Sequence, residues 1–177
     1  MRLRQWTAAD ERALSAAITA SIEHLRPRMP WVTAEPVSAA DRGTLIEGWY
    51  DDWTSGADCH FGIFAGDGTV LGGIGLHRRR GDDGLEIGYW IHAGHVGHGY
   101  AREASGALTD LAFGVDGIDR VDIQHDRANI ASGRVAQALG YALVEEYERE
   151  ITAPGECGIT RVWRVRHADW VSATRTS

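Results

Sequence analysis

The spacing of apolar and polar positions changes several times along the chain. Residues 1–6 alternate and read as a strand, and Thr7 and Asp10 supply helix-start chemistry for an amphipathic run over 11–20. Pro27, Pro30 and Pro36 break the next stretch, and Ser38-Ala39-Ala40-Asp41 then forms a variant capping box for a helix reaching about Trp53. Residues 59–65 and 70–79 flank Gly66-Asp67-Gly68 in a hairpin pattern, with 84–92 as the next antiparallel partner. A helix over 100–113, a strand over 121–125, a helix over 130–139 ended by Gly140, and strands over 141–151 and 159–166 complete the series. The order β-α-α-β-β-β-α-β-α-β-β predicts a mixed α/β domain. With 177 residues, 44% of them hydrophobic, and no internal repeat, the chain reads as one domain over 1–177.

Composition narrows the function. A formal charge of -7 argues against a nucleic-acid partner, which needs a basic footprint, and favours cationic ones. The basic run Arg78-Arg79-Arg80 is followed at once by Gly81-Asp82-Asp83-Gly84 and is expected at a solvated hairpin tip. No apolar run approaches the roughly 20 residues that span a bilayer, and the first residues lack an apolar signal region, so the expectation is a cytoplasmic protein with no membrane partner. Cys59 and Cys157 form no Cys-x-x-Cys and read as buried or half-buried free thiols. His92, His95 and His98 recur every third residue, but in a strand-to-loop segment that period gives no common face, and no His-Glu-x-x-His accompanies them. They read as polar loop residues, and no metal is expected.

Residues 86–104 carry the most chemistry. An apolar strand runs into a turn containing Gly94, Gly97 and Gly99, which opens the helix that begins at Tyr100. Glycine lets amides approach a ligand closely, and the first helical amides carry the positive end of the helix dipole, so the turn suits a pyrophosphate. Such turns also occur without ligands, and the spacing alone leaves both readings open. The turn lacks the Lys-Ser/Thr ending of a P-loop, and Arg102 stands where a dinucleotide fingerprint has its third glycine.

Val96-Gly97-His98-Gly99-Tyr100-Ala101 resembles the pyrophosphate loop of the GNAT superfamily of acetyl-CoA-dependent N-acetyltransferases, whose pattern is Arg or Gln, two variable residues, Gly, a variable residue, then Gly or Ala. Gly99 and Ala101 match; Val96 departs, and His98 and Arg102 offer local positive charge. Asn129 to Tyr141 is similar to the superfamily's second CoA-side motif, in which the asparagine contacts the pantetheine arm. The position where many members carry an acidic tyrosine is Ala136, and Ser132, one turn earlier, is the residue that the RimJ/RimL branch uses there. His24-Leu25-Arg26-Pro27-Arg28-Met29-Pro30-Trp31 resembles the Leu-Pro-Met-Pro-Trp stretch of that same branch. The order of elements is that of the GNAT fold, which implies an α/β (α+β) domain with a mixed, mostly antiparallel sheet flanked by helices.

The resemblance implies acetyl transfer from acetyl-CoA to a primary amine, which needs a neutral amine, an oxyanion donor and a proton for the leaving thiolate. Glu86 is the base-side candidate, the alternative being a strand glutamate paired with a neighbour. Ser132 is the sulfur-side candidate, the alternative being simple helix capping. Main-chain amides over 89–91 are the implied oxyanion donors. Ile91, His92, Val96, Gly97, His98, Gly99, Tyr100, Ala101, Arg102, Asn129 and Ser132 form the expected CoA side, and Trp31, Trp49 and Tyr89 the acceptor side. Glu35, Glu47, Asp51 and Asp52 fall in the tryptophan-rich region, where they suit an ammonium group or a solvated helix face equally. The first acceptor expected is a protein N-terminal α-amine. A small amine such as an aminoglycoside or polyamine, and a catalytically silent acyl-CoA-binding module, remain open. The resemblance and the tryptophans of residues 31–53 also imply a homodimer.

Overall fold

Strands form where the pattern alternates and helices where its period lengthens. The computed structural model, which describes residues 1–174, has strands β1 (Arg2–Gln5), β2 (Cys59–Phe64), β3 (Val70–His77), β4 (Gly84–Ile91), β5 (Arg120–Asp126), β6 (Ala142–Glu148) and β7 (Ile159–Arg166). The helices are α1 (Glu11–Thr19), α2 (Ile22–Leu25), α3 (Ala39–Ser55), α4 (Tyr100–Phe113), α5 (Ile130–Ala138) and α6 (His167–Thr174). Two of them, the single turn α2 and the terminal α6, were not expected from the sequence pattern.

Local chemistry sets the helix ends. Ser38 Oγ accepts the Asp41 N–H at 3.1 Å and starts α3, while Gly56, at φ 73°, ends it. At the chain start, Asp10 accepts from the Thr7 amide and hydroxyl and from Arg4. The Arg4 hydrogen bond outweighs burial and holds the Asp10 carboxyl at about 2.

The strands hydrogen-bond into one sheet in the order β1-β2-β3-β4-β5-β7-β6, and every neighbouring pair is antiparallel except β4 with β5. Alternation divides the strands between two faces. Ile74, Leu76, Leu85, Ile87, Val121 and Ile123 form the apolar face and pack on Ala104, Leu108 and Ala112 of α4. Each such buried aliphatic contributes roughly 1.5–3 kcal/mol. A second cluster joins Leu14 and Ile18 of α1 and Ile46 of α3 to Trp6, Phe64 and Val70.

The opposite face of the central strands carries glycines and polar groups. Register pairs Gly75 with Gly88, Gly73 with Trp90, and His77 with Glu86, placing these residues in adjacent rows. Asp122, directly across from Glu86 on β5, is fully buried. Burial of a lone carboxylate is costly, and here it is compensated: Arg80 Nε lies 2.8 Å away and Arg164 forms two contacts of 2.7 Å. The expectation of a solvated tip for the arginine run is therefore corrected at Arg80, which the buried Asp122 draws inward. Cys59 is half-buried as expected, whereas Cys157 is exposed because it lies in the β6–β7 connection.

Candidate active site

The parallel ladder between β4 and β5 stops early. Gly84–Ile87 pairs with Arg120–Ile123, and the strands are unpaired beyond that register. His92 N–H donates to Leu71 O at 2.8 Å, so backbone alternation turns the main-chain groups of Trp90 and Gly88 toward β3 and those of Tyr89 and Ile91 toward the gap. A cavity of about 1200 Å³ passes through this gap. On the apolar face it is lined by Tyr89, Ile91, Asn129, Ser132 and the start of α4; on the other by Glu86, Gly88, Trp90, His77, His60, Trp31 and Trp49.

The start of α4 fits an anion. Gly97 and Gly99 take φ 79° and 83°, a left-handed turn that L residues adopt only with strain, and Gly99 is the N-cap. Glycine has no side chain to cap the helix, so the amides of Tyr100, Ala101 and Arg102 precede the first intrahelical bond, Glu103 N–H to Gly99 O at 3.0 Å. Val96, Gly97, Gly99, Tyr100, Ala101 and Arg102 all line the cavity. His92 and His98 do not. The His92 ring accepts the Gly94 N–H at 3.0 Å, while the exposed His98 ring stacks on Tyr100 and bonds the Val96 carbonyl.

At the start of α5 the Asn129 side chain accepts the Ser132 N–H at 3.3 Å. Asn129 is therefore the cap, and the Ser132 hydroxyl is used elsewhere: it shares a 2.8 Å hydrogen bond with the Tyr89 hydroxyl. Burial pushes the Tyr89 phenol up to about 12, with the Ser132 bond acting the other way, so the phenol keeps its proton at neutral pH. Tyr89 thus stands with Ser132 on the apolar face, apart from Trp31 and Trp49. Just before α5, the Asp126 carboxylate accepts the N–H groups of Ala128, Cys157, Gly158 and Ile159. Burial opposes its charge, but these amides hold it at about 2 and tie the end of β5 to the start of β7.

Across the sheet, Glu86 is largely buried. Its Oε2 accepts from Gln124 Nε2 at 2.7 Å, and its Oε1 lies 3.9 Å from Arg79 Nη1. Burial raises its carboxyl above the ordinary glutamate range, with Arg79 and His77 pulling down. Trp31 packs edge-on against Trp90 with centroids 6.4 Å apart, and Trp49 stacks on His60 at 5.0 Å. Trp53 stands apart, edge-on to Phe61. Glu35 of the acidic group is neutralised by the buried Arg42 through contacts of 2.6 and 2.7 Å.

Sequence reasoning missed Asp58, His60 and His77. His77 Nδ1 lies 2.7 Å from Asp58 Oδ2, the Arg78 N–H donates to Asp58 Oδ1 at 3.0 Å, and the His60 and His77 rings are 5.2 Å apart. Burial, then His77, lowers His60 to about 4 and keeps it neutral. Potential ligand atoms of these three residues lie within 4.8 Å of one another, and Arg79 Nη2 is 3.4 Å from His77 Nδ1 and 3.8 Å from Asp58, so a guanidinium borders the same group. One signal was available in the sequence: Gly73 and Gly75 alternate with apolar residues on β3 and lead to His77, a strand face kept bare beside a polar group.

A splayed strand pair, a glycine-led helix start on one side and a buried carboxylate on the other fit an acyl-CoA-dependent acetyltransferase. The sequence family described as the acetyltransferase (GNAT) domain matches residues 1–142, and the chain belongs to that family. A search of curated proteins finds no match. Among solved structures, the fold is similar to RimL, ribosomal L7/L12 alpha-N-protein acetyltransferase in complex with coenzyme A, with 18% identity, a TM-score of 0.84, and coverage of 93% of this chain and 92% of that one. It is also similar to Mycobacterium smegmatis RimJ in complex with CoA-disulfide, at 20% identity, a TM-score of 0.82, and 98% and 88% coverage. A third is the microcin C7 self immunity acetyltransferase MccE in complex with acetyl-CoA and AMP, at 18% identity, a TM-score of 0.83, and 93% and 91% coverage. No helix among the described residues is long and apolar enough to cross a membrane.

Proposed function

We propose that the protein moves the acetyl group of acetyl-CoA to a primary amine, and that the amine is the N-terminal α-amine of a protein. The observation that carries this reading is the cavity through the β4–β5 gap, which joins an anion-binding helix start on one face to a glycine-floored, carboxylate-bearing surface on the other. RimL, named as acting on the α-amine of a ribosomal protein, and RimJ share the fold, which supports the choice of acceptor. The pyrophosphate is assigned to the amides of 96–102, the pantetheine arm to Asn129, and the developing oxyanion to the main-chain amides of Tyr89 and Ile91. With the Tyr89 hydroxyl as donor in their shared hydrogen bond, the Ser132 proton is free for the leaving sulfur. Glu86 attracts the acceptor ammonium, and Trp31 and Trp49 shape its approach. The protein is further proposed to work in the cytoplasm as a homodimer, with the exposed Trp31 and Trp53 toward the partner; a single monomer mass by light scattering at all concentrations would remove the dimer.

The test is a panel of acceptors offered with acetyl-CoA: peptides beginning with serine, alanine or methionine, their N-terminally blocked forms, spermidine and kanamycin. The proposal expects the highest kcat/KM with a free peptide N-terminus. Transfer to spermidine or kanamycin alone would overturn the choice of acceptor, and thiol release with none of them would overturn the reaction.

A further inference from the structure

The acceptor face contains a histidine–carboxylate pair that the chemistry above does not use. We infer that His77 is the group that takes the proton from the acceptor amine, with Asp58 as the residue that positions its ring. The inference rests on the proposed acetyl transfer and names the base within it.

Three observations carry it. First, the ring is fixed. Asp58 Oδ2 sits 2.7 Å from His77 Nδ1, much nearer than Arg79 Nη2 at 3.4 Å, and Asp58 is itself held by the Arg78 N–H through its other oxygen, so the shorter contact favours the Nδ1–H tautomer and Nε2 keeps its lone pair. Second, Nε2 lies over bare backbone where His77, Gly75 and Gly88 line the cavity. A Cβ built on Gly88 would lie 3.3 Å from His77 Nε2, and one on Gly75 would lie 3.0 Å from it, so these two glycines make the room in which the ring lies. Third, the ring reaches farther toward the gap than the backbone of Glu86 does. Gly88 is two residues closer to the opening than Glu86, about 6–7 Å along the strand, and lies beside the main-chain groups of Tyr89. Glu86, by contrast, is already engaged by Gln124 and Arg79.

The groups around His77 suit this division of work. Asp58 and His60 face it from the β2 side, Arg79 from the end of its own strand, and Glu86 from β4, with Asp52 of α3 behind His60 at 3.9 Å. Glu86 supplies negative charge for an ammonium, and His77 receives its proton. One ammonium proton passes to His77 Nε2 and on to solvent. The freed lone pair forms the C–N bond to the thioester carbon, a second proton leaves nitrogen as the C–S bond breaks, and the sulfur gains a proton from Ser132, which the second nitrogen proton replaces through solvent. The products are an amide, a thiol and one released proton.

The test uses the full chain with acetyl-CoA and the best peptide of the acceptor panel. His77→Gln and His77→Ala are expected to lower kcat by about a hundredfold or more, the usual range for a general base, with acetyl-CoA affinity by calorimetry unchanged. Added imidazole should restore His77→Ala in proportion to its concentration. Because His77 is largely buried, Asp58→Asn provides a second variant; it should lower kcat more than it raises KM for the peptide. Turnover in folded His77 variants within threefold of the parent overturns the inference, as does a loss that imidazole does not relieve; if the His77 variants do not fold, parent-like kcat in Asp58→Asn overturns it. A parent that binds acetyl-CoA but acetylates no amine overturns the proposed function itself, a result separable from the first.

Discussion

Replacing Gly99 with alanine separates the strain of the turn from its ligand-binding role. Gly99 has φ 83° and ψ 0°, and a Cβ there meets nothing within 4 Å, so the whole cost is conformational. An L residue in the left-handed region costs about 1–2 kcal/mol, which in a chain of this length lowers Tm by roughly 3–7 °C. A nearly equal φ, 84°, occurs at Gly117, also in open space, but between α4 and β5 and away from the cavity. Gly99→Ala and Gly117→Ala should therefore lose similar stability in a thermal melt. Only Gly99→Ala should weaken acetyl-CoA binding, because relaxing the turn tilts the first amides of α4 away from the phosphates. Loss of one hydrogen bond to a charged group is worth about 1.5–3 kcal/mol, or roughly 10- to 150-fold in Kd by calorimetry. Equal acetyl-CoA affinity in the two variants would refute the assignment of the loop.

Further outcomes follow from the same geometry. Ser132→Ala and Tyr89→Phe should each lower kcat about tenfold to a hundredfold with little change in acetyl-CoA affinity, and turnover within twofold of the parent in both would remove the sulfur-side role. Burial raises the Glu86 carboxyl, so its contribution to stability is full below the unfolded-chain value and is lost as pH rises through the higher folded value. Glu86→Gln should accordingly melt no lower than the parent at pH 8 while turnover falls, and a lower Tm there would contradict the burial argument. Asp122→Ala leaves Arg80 and Arg164 without their shared carboxylate and should cost about 3–5 kcal/mol, or roughly 10 °C in Tm, by calorimetric melting.

The strand and helix order was legible because each element keeps one period: 2 in Val70–His77 and Gly84–Ile91, 3.6 in Tyr100–Phe113. The glycine-led start of α4 and the Asn129 cap were legible for a similar reason, since both are local and depend on residue types a few positions apart. Convergence across strands was not legible. Asp58, His60, His77 and Glu86 meet because the β2–β3–β4 register brings their rows together, and a shift of one residue would send each to the other face. The Tyr89–Ser132 bond and the drawing-in of Arg80 by Asp122 likewise span about forty residues of sequence, with separations of 43 and 42, and carry no local signature. The gap between β4 and β5 is an absence of pairing that leaves no local mark: β4 stays apolar through Ile91, and β5 runs on to Asp126 paired with β7 on its other edge.

Acetyl transfer itself tests the account most directly, measured as coenzyme A thiol release and product mass in one sample of the purified protein. With acetyl-CoA and a peptide bearing a free N-terminus, the expected result is thiol release that requires the peptide, matched mole for mole by peptide carrying one acetyl group on its α-amine. Tight acetyl-CoA binding with no amine-dependent thiol release, from peptides, spermidine or kanamycin, would contradict the claim that the two faces of the sheet meet at one reacting centre.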